Sequence, residues 1–468
     1  MMATPVFAAV ESAVRRANLT PDDLVLIGLS GGVDSLALTH ALSTLHQRGA
    51  GTRLLAVHVN HRIRPESTVD AARVAKLAET LHVPVEVIPV DVAGWTRVLR
   101  QGIEAAARAA RYAVFGSVAQ RLGTRWIALG HTRDDQAETV LLRLARGTSL
   151  EGLAGMRWLS ERAVPLAPRD GGAVRLSVIR PLLGISRQEV EQYARANNLE
   201  PVEDISNLSL AYRRNVVRHH VLPALEAAVP GAVASIARTA AILQDDADYL
   251  DSQAVEAEHE VIQEKAGLVM IQREPARRLH PAIQRRIMAA AIIRAAGTQA
   301  PLSFDRIEAL RGAVQGGAVS SRIELGNRFT AYVDYETVAI GREMAVEDRL
   351  RRVSGLPLME PGTEVPLDEP LDLALGNNWR VRAERGGTGT HWVLRTRQPG
   401  DRMQVGDRHS IRLQDWFVNR KIPAYVRDWL PLLADGNIVR WVGGISPLDF
   451  EGAASGVRVR LWHDDDRG

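Results

Sequence analysis

Residues 30–35 carry the residue types of a phosphate-binding loop. They read Ser-Gly-Gly-Val-Asp-Ser and lie between an apolar run, 24–29, and a run with helical spacing that starts at Leu36. This pattern predicts a strand, a glycine turn and the start of a helix. Glycines let the backbone approach a ligand closely, and the amides at a helix N-terminus favour an anion such as phosphate. The candidate nucleotide contacts in this loop are Ser30, Gly31, Gly32, Val33, Asp34 and Ser35.

The loop differs from a Walker A loop because it has no lysine. In Walker A sequences the lysine is a fixed cation over the phosphates, whereas this loop offers hydroxyls, amides and the carboxylate of Asp34. An ordinary glycine-rich turn between a strand and a helix is the alternative. The flanking apolar and helical runs, with a serine at each end of the loop, favour the phosphate-binding interpretation.

A second group of polar residues stands at the end of the apolar run 54–59. His58 and Asn60 project to one face of an extended segment, and Arg62 and Arg64 follow them. This set is suited to line a nucleotide pocket. The alternative is a polar strand end with a hydrogen-bonded structural histidine. A zinc site is disfavoured because no third ligand lies at a suitable spacing.

A third group follows the apolar run 126–129. Gly130 and His131 end the predicted strand, and a helix is predicted to begin near residue 134, which places Asp135 and Glu138 on one helix face. Two carboxylates at the end of a strand can hold a cationic substrate, hold Mg²⁺, or accept a proton from an amine. Acidic residues in a first helical turn that only complement the helix dipole are the alternative.

Composition narrows the classes of protein and of reaction. The chain has 468 residues, 46% of them hydrophobic, a formal net charge of +3 and no cysteine. The lack of cysteine excludes disulfides, thiolate metal sites, a cysteine nucleophile and a persulfide carrier. No apolar run reaches the ~18 residues of a membrane span, and the first residues lack the apolar core of a signal peptide. We therefore expect a cytoplasmic protein that does not associate with membranes.

The chain is expected to contain several domains. Short apolar runs alternate with amphipathic helices over the first ~220 residues, which predicts an α/β domain with a parallel sheet over 1–222. A mainly helical, substrate-binding middle domain is predicted over 223–345, and a linker or domain edge over 346–380 that is rich in proline and glutamate. A small α+β domain is predicted over 381–468. Its segment 391–440 interleaves basic residues with tryptophans, which suits RNA binding, although tryptophans of a small β domain also form cores.

Several segments, taken in this order and spacing, resemble the tRNA(Ile)-lysidine synthetase family of the PP-loop ATP pyrophosphatases. They are SGGVDS, VHVNHRIRP, IEAAARAARY, GHTRDDQAETVLLRLARG and DISNLSLAYRRNVVRHHVLP, followed near the C-terminus by LRTRQPGDRM and RKIPAYVRDWLPLL. The resemblance is most specific over residues 24–222. It implies an N-terminal PP-loop domain of the adenine nucleotide alpha hydrolase type. Thr132 departs from the family, whose members often have a second histidine there, and the stretch 161–178 has no explanation.

The resemblance implies a reaction. Family members are cytosolic bacterial enzymes that use ATP and Mg²⁺ to join free L-lysine to C2 of cytidine 34 in a tRNA(Ile) with a CAU anticodon. The modified anticodon then reads AUA in place of AUG. The C2 oxygen is a poor leaving group, so it would first attack the α-phosphate of ATP and expel pyrophosphate into residues 30–35. The loop amides would stabilise the charge that develops on pyrophosphate, and the lysine amine would then displace AMP.

The resemblance also implies roles for individual residues. Asp34 and Asp135 are expected to bind Mg²⁺, and Asp135 and Glu138 to hold the lysine ammonium and remove its proton. Gly130 and His131 join His58 and Asn60 as nucleotide contacts. Further lysine or tRNA contacts are expected at Glu104, Arg108, Arg111, Arg214, Arg218, Arg395, Arg397 and Arg402.

Structural alternatives remain for some of these residues. Glu104, Arg108 and Arg111 have the spacing of a salt-bridge ladder on a helix surface. Arg214 and Arg218 could instead cap the end of the domain.

Other functions share some of these features. A tRNA thiolase with the same loop and an amidotransferase of the GMP synthetase kind both rely on cysteine chemistry, which this chain lacks. An RNA-binding protein without enzymatic activity would leave the loop and the paired carboxylates without a purpose. The sequence leaves open which carboxylate takes the proton, how elongator tRNA(Met) is rejected, and whether the chain forms a homodimer.

Overall fold

The computed structural model describes most of the chain. The described residues are 4–62, 67–168, 172–202, 213–297, 300, 302–343, 345–385, 391–406, 409–452 and 456–467. Arg64 and residues 203–212, which belong to two of the segments singled out above, lie outside them. The chain divides into two compact units, Met1–Asp248 and Tyr249–Gly468.

The first unit alternates strands and helices. Its strands are β1 (Leu24–Gly28), β2 (Arg53–Asn60), β3 (Val85–Pro89), β4 (Trp126–Ala128), β5 (Leu159–Pro165) and β6 (Ala173–Ile179). Its helices are α1 (Pro5–Arg16), α2 (Val33–Gln47), α3 (Ser67–Thr80), α4 (Val92–Leu99), α5 (Ile103–Leu122), α6 (Arg133–Leu144), α7 (Leu150–Leu153), α8 (Arg187–Ala196), α9 (Arg213–Val216), the π-helical turn Val217–Val221, α10 (Leu222–Ala228) and α11 (Ala232–Val261), which continues past the boundary.

The six strands form one sheet in the order β3-β2-β1-β4-β6-β5. All neighbours are parallel except β5 and β6, which are antiparallel. The parallel α/β fold is confirmed, and the apolar runs 24–29, 54–59 and 126–129 form strands β1, β2 and β4. The stretch 161–178, which the sequence did not explain, forms most of the β5–β6 hairpin and adds an edge strand to the sheet.

Apolar side chains cover both faces of this sheet, as the crossover helices of a parallel sheet require. Val25 and Ile27 of β1 pack with residues of α1, α2 and α8 on one face. Leu26 points to the other face, where it packs with Tyr112 and Phe115 of α5. The alternation along β1 follows from the two-residue period of a strand.

The second unit is a mixture of helices and antiparallel strands. Its elements are β7 (Ile262–Lys265), β8 (Leu268–Gln272), α12 (Arg273–Arg278), α13 (Pro281–Ala296), α14 (Phe304–Gly316), β9 (Ser321–Gly326), β10 (Phe329–Val333), β11 (Thr337–Arg342), α15 (Val346–Val353), β12 (Glu364–Pro366), β13 (Leu371–Leu375), β14 (Trp379–Arg385), β15 (Trp392–Arg395), β16 (Arg402–Val405), β17 (His409–Arg412), α16 (Leu413–Asn419), α17 (Ala424–Arg427), β18 (Leu432–Asp435), β19 (Ile438–Val442), β20 (Asp449–Gly452), β21 (Val457–His463) and the 3₁₀ turn Asp464–Arg467.

The helical character predicted for the middle of the chain is confirmed, but a sheet accompanies it. Strands β7-β8-β11-β10-β9 form a five-stranded antiparallel sheet that the sequence analysis did not predict. The C-terminal part is rich in strands, with one six-stranded and one four-stranded sheet. Trp392, Trp416 and Trp441 are buried there, so these tryptophans form core rather than an RNA surface.

We predict that Leu26→Ala lowers the free energy of unfolding of the first unit by about 2–5 kcal/mol, because it leaves a cavity in a close-packed core. Leu144→Ala is the matched control, since Leu144 is 57% exposed. Denaturant unfolding of the full chain, followed by tryptophan fluorescence, measures both. Equal midpoints for the two variants would contradict the described packing.

Candidate active site

Residues 30–35, the candidate phosphate-binding loop, lead into a helix whose N-terminal amides are not capped by a side chain. Gly32 is the N-cap of α2 and supplies no side-chain cap. The Ser35 hydroxyl donates to the Gly32 carbonyl at 3.0 Å and accepts from the Ser30 amide at 3.2 Å. These bonds brace the loop from inside and leave the first amides of α2 for a ligand, which is the arrangement that favours an anion.

Two glycines let neighbouring segments pack closely at this loop. Gly31 has a φ of +93°, and a Cβ there would lie 2.7 Å from Val74. A Cβ at Gly130 would lie 2.8 Å from the carbonyl oxygen of Asp34 and 3.0 Å from the amide nitrogen of Ser35. The end of β4 is therefore packed directly against the first turn of α2, which brings the first and third sequence groups together.

Asp34 is a carboxylate that lacks a direct partner. Its Oδ1 is buried and accepts no hydrogen bond from the part of the chain that the structure describes. Burial, followed by the nearby charge of Asp135, raises the pKa of Asp34 to about 6, although Arg187 and Arg218 oppose the shift. An under-coordinated carboxylate beside a second one is a suitable place for a cation.

Thr132 and Asp135 form a capping box at the start of α6. The amide and hydroxyl of Thr132 donate to Asp135 Oδ2 at 2.9 and 3.1 Å, and the Asp135 amide donates to the Thr132 hydroxyl at 3.4 Å. The Thr-x-x-Asp spacing is a recognisable sequence signal for this cap, which sequence analysis missed. Thr132, the departure from the family pattern, thus fixes the direction of Asp135.

Asp135 and Glu138 share two guanidinium groups from the chain segment that follows residue 212. Arg214 donates to Asp135 Oδ1 at 2.9 Å and to Glu138 Oε2 at 2.7 Å. Arg218 donates to Asp135 Oδ1 at 2.9 Å and to both oxygens of Glu138. Asp135 is 7% and Glu138 0% exposed, and buried charges of this kind need such partners.

The ion pairs set the charge state of Asp135. Burial alone would raise the pKa of Asp135, but Arg214, His131, the Thr132 amide and Arg218 outweigh it and lower the pKa below its ordinary value. Sequence analysis predicted that Arg214 and Arg218 contact lysine or tRNA. In the structure both arginines contact the two carboxylates.

Three histidines near the site are neutral or hydrogen-bonded. Burial lowers the pKa of His131 to about 3, opposed by Asp135 and supported by nearby arginines. His58 Nδ1 lies 2.9 Å from the Leu29 carbonyl, which fits the structural alternative for this residue. Burial, followed by Arg111, lowers the pKa of His61 to about 4, and Arg111 lies 3.3 Å from its Nε2. Sequence analysis gave no role to His61.

Asn60 also braces the end of β2. Its side-chain amide donates to the Ser67 carbonyl at 3.2 Å, and its Oδ1 accepts from the Arg62 amide at 3.0 Å. These contacts tie the end of β2 to the first residue of α3. Among the described ion pairs none joins Glu104 to Arg108, so the alternative interpretation of these residues as a salt-bridge ladder is not supported there.

The three C-terminal arginines lie in the other unit. Arg395 is buried and forms two bonds to Asp401, at 2.9 and 2.7 Å. A cavity of about 410 Å³ is lined by Arg397, Arg402 and Arg412, among others. Arg402 donates to Ser410, and Arg397 pairs with Asp428 at 3.2 Å. The guanidinium of Arg395 supports the loop that contains Asp401 and does not face solvent.

The site has carboxylates that can bind Mg²⁺, but those described do not surround a metal position on their own. The described residues hold no group of three or more acidic, histidine or cysteine side chains that could bind a metal. Mg²⁺ commonly binds to one or two carboxylates and completes its shell with waters and substrate phosphates. Asp34, with its unpartnered Oδ1, fits this pattern. Asp135 fits it less well, because both of its oxygens already accept hydrogen bonds.

The first strand of the parallel sheet leads through a serine- and glycine-rich loop to the open amides of a helix. This arrangement defines the class of protein, one with an ATP-binding PP-loop domain. Residues 7–225 match a family model described as a PP-loop domain. Residues 393–461 match a second one, described as the TilS substrate C-terminal domain.

Curated relatives extend this match to nearly the whole chain. The tRNA(Ile)-lysidine synthase of Geobacter sulfurreducens is 33% identical over 91% of this chain and 89% of its own length. That of Symbiobacterium thermophilum is 34% identical over 93% of this chain and 92% of its own length. The chain therefore belongs to the tRNA(Ile)-lysidine synthase family.

Two further findings carry less weight. A U34-tRNA thiolase from Methanococcus maripaludis, a solved structure, covers 51% of this chain and 78% of its own, with 23% identity and a TM-score of 0.42, too low to support an argument. No single helix of the described residues is long and apolar enough to span a membrane. One pair, Arg213–Ala228 and Ala232–Val261, passes that test together despite a bend of 98°.

We predict that Gly130→Ala weakens ATP binding by roughly tenfold or more, about 1.4 kcal/mol, because the new methyl group would push against the backbone of Asp34 and Ser35. Gly184→Ala is the control, since a Cβ at Gly184 meets nothing within 4 Å. Titration calorimetry with ATP and Mg²⁺ measures both variants. Unchanged affinity in Gly130→Ala would show that the loop does not bind ATP as described.

Proposed function

We propose that this enzyme joins the ε-amine of free L-lysine to C2 of cytidine 34 in the CAU anticodon of tRNA(Ile), with conversion of ATP to AMP and pyrophosphate. The observation that carries the proposal is the contact between the open loop at Ser30–Ser35 and the strand end that leads to Asp135 and Glu138. It is supported by the family, whose curated members are tRNA(Ile)-lysidine synthases. The product anticodon reads AUA instead of AUG, and the reaction belongs in the cytoplasm.

The first step is adenylation of the base. The C2 oxygen of cytidine attacks the α-phosphate, an oxygen–phosphorus bond forms, and the bond between the α-phosphate and the bridging oxygen breaks to release pyrophosphate. The amides at the start of α2 are suited to bind the leaving pyrophosphate, and the hydroxyls of Ser30 and Ser35 hold the loop in the shape that presents them. Their contribution is electrostatic, because charge develops on the leaving group where fixed donors already point.

Mg²⁺ would neutralise phosphate charge during this step. Asp34 is the residue that would hold it, because its Oδ1 has no other described partner. Asp135 would take part only if a guanidinium moved away from its Oδ1.

The second step is attack by the lysine amine. The lysine ammonium first loses one proton, the resulting amine nitrogen bonds to C2, the bond between C2 and its oxygen breaks, and AMP leaves with that oxygen. The nitrogen then loses a second proton, and Asp135 and Glu138 are the proposed proton acceptors. Asp135 and Glu138 are the groups suited to attract the incoming ammonium, because both are carboxylates that lie at the sheet edge and are shielded from water. Arg214 and Arg218 already neutralise these carboxylates. The ammonium must therefore share the carboxylates with the arginines or displace one of them.

The C-terminal unit is proposed to bind another part of the tRNA. The matched family model for this region is described as a substrate domain. Arg397, Arg402 and Arg412 around the cavity are the candidates for phosphate contacts. Arg395 acts through Asp401 by holding the loop that carries Arg397.

We predict ATP-dependent attachment of labelled lysine to an unmodified tRNA(Ile) transcript with a CAU anticodon. Attachment should disappear when cytidine 34 is replaced by uridine, and in Asp34→Ala, which removes the proposed Mg²⁺ ligand. Retained label in the RNA after denaturing electrophoresis is the measurement. AMP release without attachment would keep the adenylation step but contradict lysine as the nucleophile.

We predict that Glu138→Gln raises the KM for lysine more than it changes the KM for ATP, because it removes one negative charge from the cation site and keeps its shape. A loss of roughly 100-fold in kcat/KM for lysine corresponds to about 2.7 kcal/mol. Glu79→Gln, on the exposed side of α3, is the matched control. A rise in the KM for ATP alone would place Glu138 at the nucleotide instead.

A further inference from the structure

Arg162, on the edge strand β5, packs against an aromatic ring. Its guanidinium carbon lies 4.4 Å from the ring centroid of Tyr112, and that of Arg108 lies 5.4 Å from the same centroid. Both distances are within the range of cation–π attraction. Tyr112 itself is 3% exposed, whereas Arg108 and Arg162 are exposed. A buried ring thus holds two surface guanidiniums.

This pair lies near the edge of the sheet that carries the proposed active site. In the β5–β6 register Leu159 is opposite Ile179, the last residue of β6, and Arg162 is opposite Leu176. Arg162 is therefore about 10 Å along the strand from that edge. Helix α5 leads from the carboxyl edge back to β4, so Arg108 is one turn closer to the edge than Tyr112. The charge of Arg108 also contributes to the lowered pKa of His131.

These arginines differ from others on the same elements. Arg121, at the far end of α5, pairs with Glu86 at 2.5 Å, and Arg175 of β6 pairs with Glu161 at 3.2 Å. No carboxylate of the described residues pairs with Arg108 or Arg162, and the charge of Arg111 adds to theirs. The result is an exposed pair of cations, Arg108 and Arg162, that no carboxylate of the described residues neutralises.

We propose that Arg162, whose guanidinium lies over the same ring as that of Arg108, binds the phosphate backbone of the RNA next to the nucleotide being modified. The proposal rests on the proposed function. A planar guanidinium held on an aromatic face keeps its N–H groups free at its edge, where a phosphate accepts two of them. The spacing of about 10 Å from the sheet edge suits a polyanion that continues from the site along the side of the β5–β6 hairpin. The β5–β6 hairpin is thereby a docking element for RNA.

Arg162→Ala should weaken binding of the CAU-anticodon transcript about three- to tenfold and lower the slope of log affinity against log salt by about 1. Arg162→Lys should lose less, because it keeps the charge without the stacked plane. Arg175→Ala is the matched control on the same hairpin and should bind like the wild type. Filter binding of the full-length protein over a salt series, without ATP or lysine, gives these values.

Three results would overturn the proposal. One is unchanged RNA affinity and salt slope in Arg162→Ala. Another is a higher KM for lysine with unchanged RNA affinity, which would assign Arg162 to the amino-acid carboxylate. The third is an equal loss in Arg175→Ala, which would reflect overall charge. Since RNA binding is measured without turnover, failure of the wild type to attach lysine would disprove only the proposed function.

Discussion

The buried cluster of two carboxylates and two guanidiniums is the interaction on which the site depends. Asp135 and Glu138 cannot stay ionised in a protein interior without partners, and removing one partner of such a cluster typically costs about 3–5 kcal/mol. Arg214 and Arg218 supply the partners from a segment 76 to 83 residues further along the chain. The cluster therefore keeps both carboxylates ionised at the sheet edge, balances their charge, and fastens the end of the α/β unit to α6.

A second constraint sets the distance between this charged edge and the phosphate loop. The absence of a side chain at Gly130 lets the end of β4 lie against Asp34 and Ser35. The amides suited to bind phosphate, the under-coordinated carboxylate and the proposed cation site then all lie where neighbouring strands end, at one edge of the sheet. This is where ligands bind in open parallel sheets, at the point where the strand order reverses. The proposed two-step reaction requires this arrangement, since the phosphorus attacked in the first step and the C2 attacked in the second are bonded to the same oxygen.

Features with local sequence signals could be predicted, and features that depend on distant contacts could not. The strand, turn and helix around residues 24–36 and the paired carboxylates follow from short patterns. The five-stranded sheet was missed because it joins β8 to β11 across about 70 residues. Likewise nothing in the spacing of Arg214 and Arg218 shows that they contact Asp135. The exposed pair on Tyr112 depends on the register of a hairpin that the sequence did not predict.

The central claim is that the oxygen on C2 of cytidine 34 attacks ATP at this sheet edge and leaves with AMP. The most direct test uses a tRNA(Ile) transcript with a heavy-oxygen label on C2 of that cytidine. After turnover with ATP and lysine, mass spectrometry of the nucleotide products shows where the label went. The account predicts that the AMP carries the heavy oxygen and the pyrophosphate does not. Unlabelled AMP, with lysine attached to the RNA, would contradict adenylation of the base.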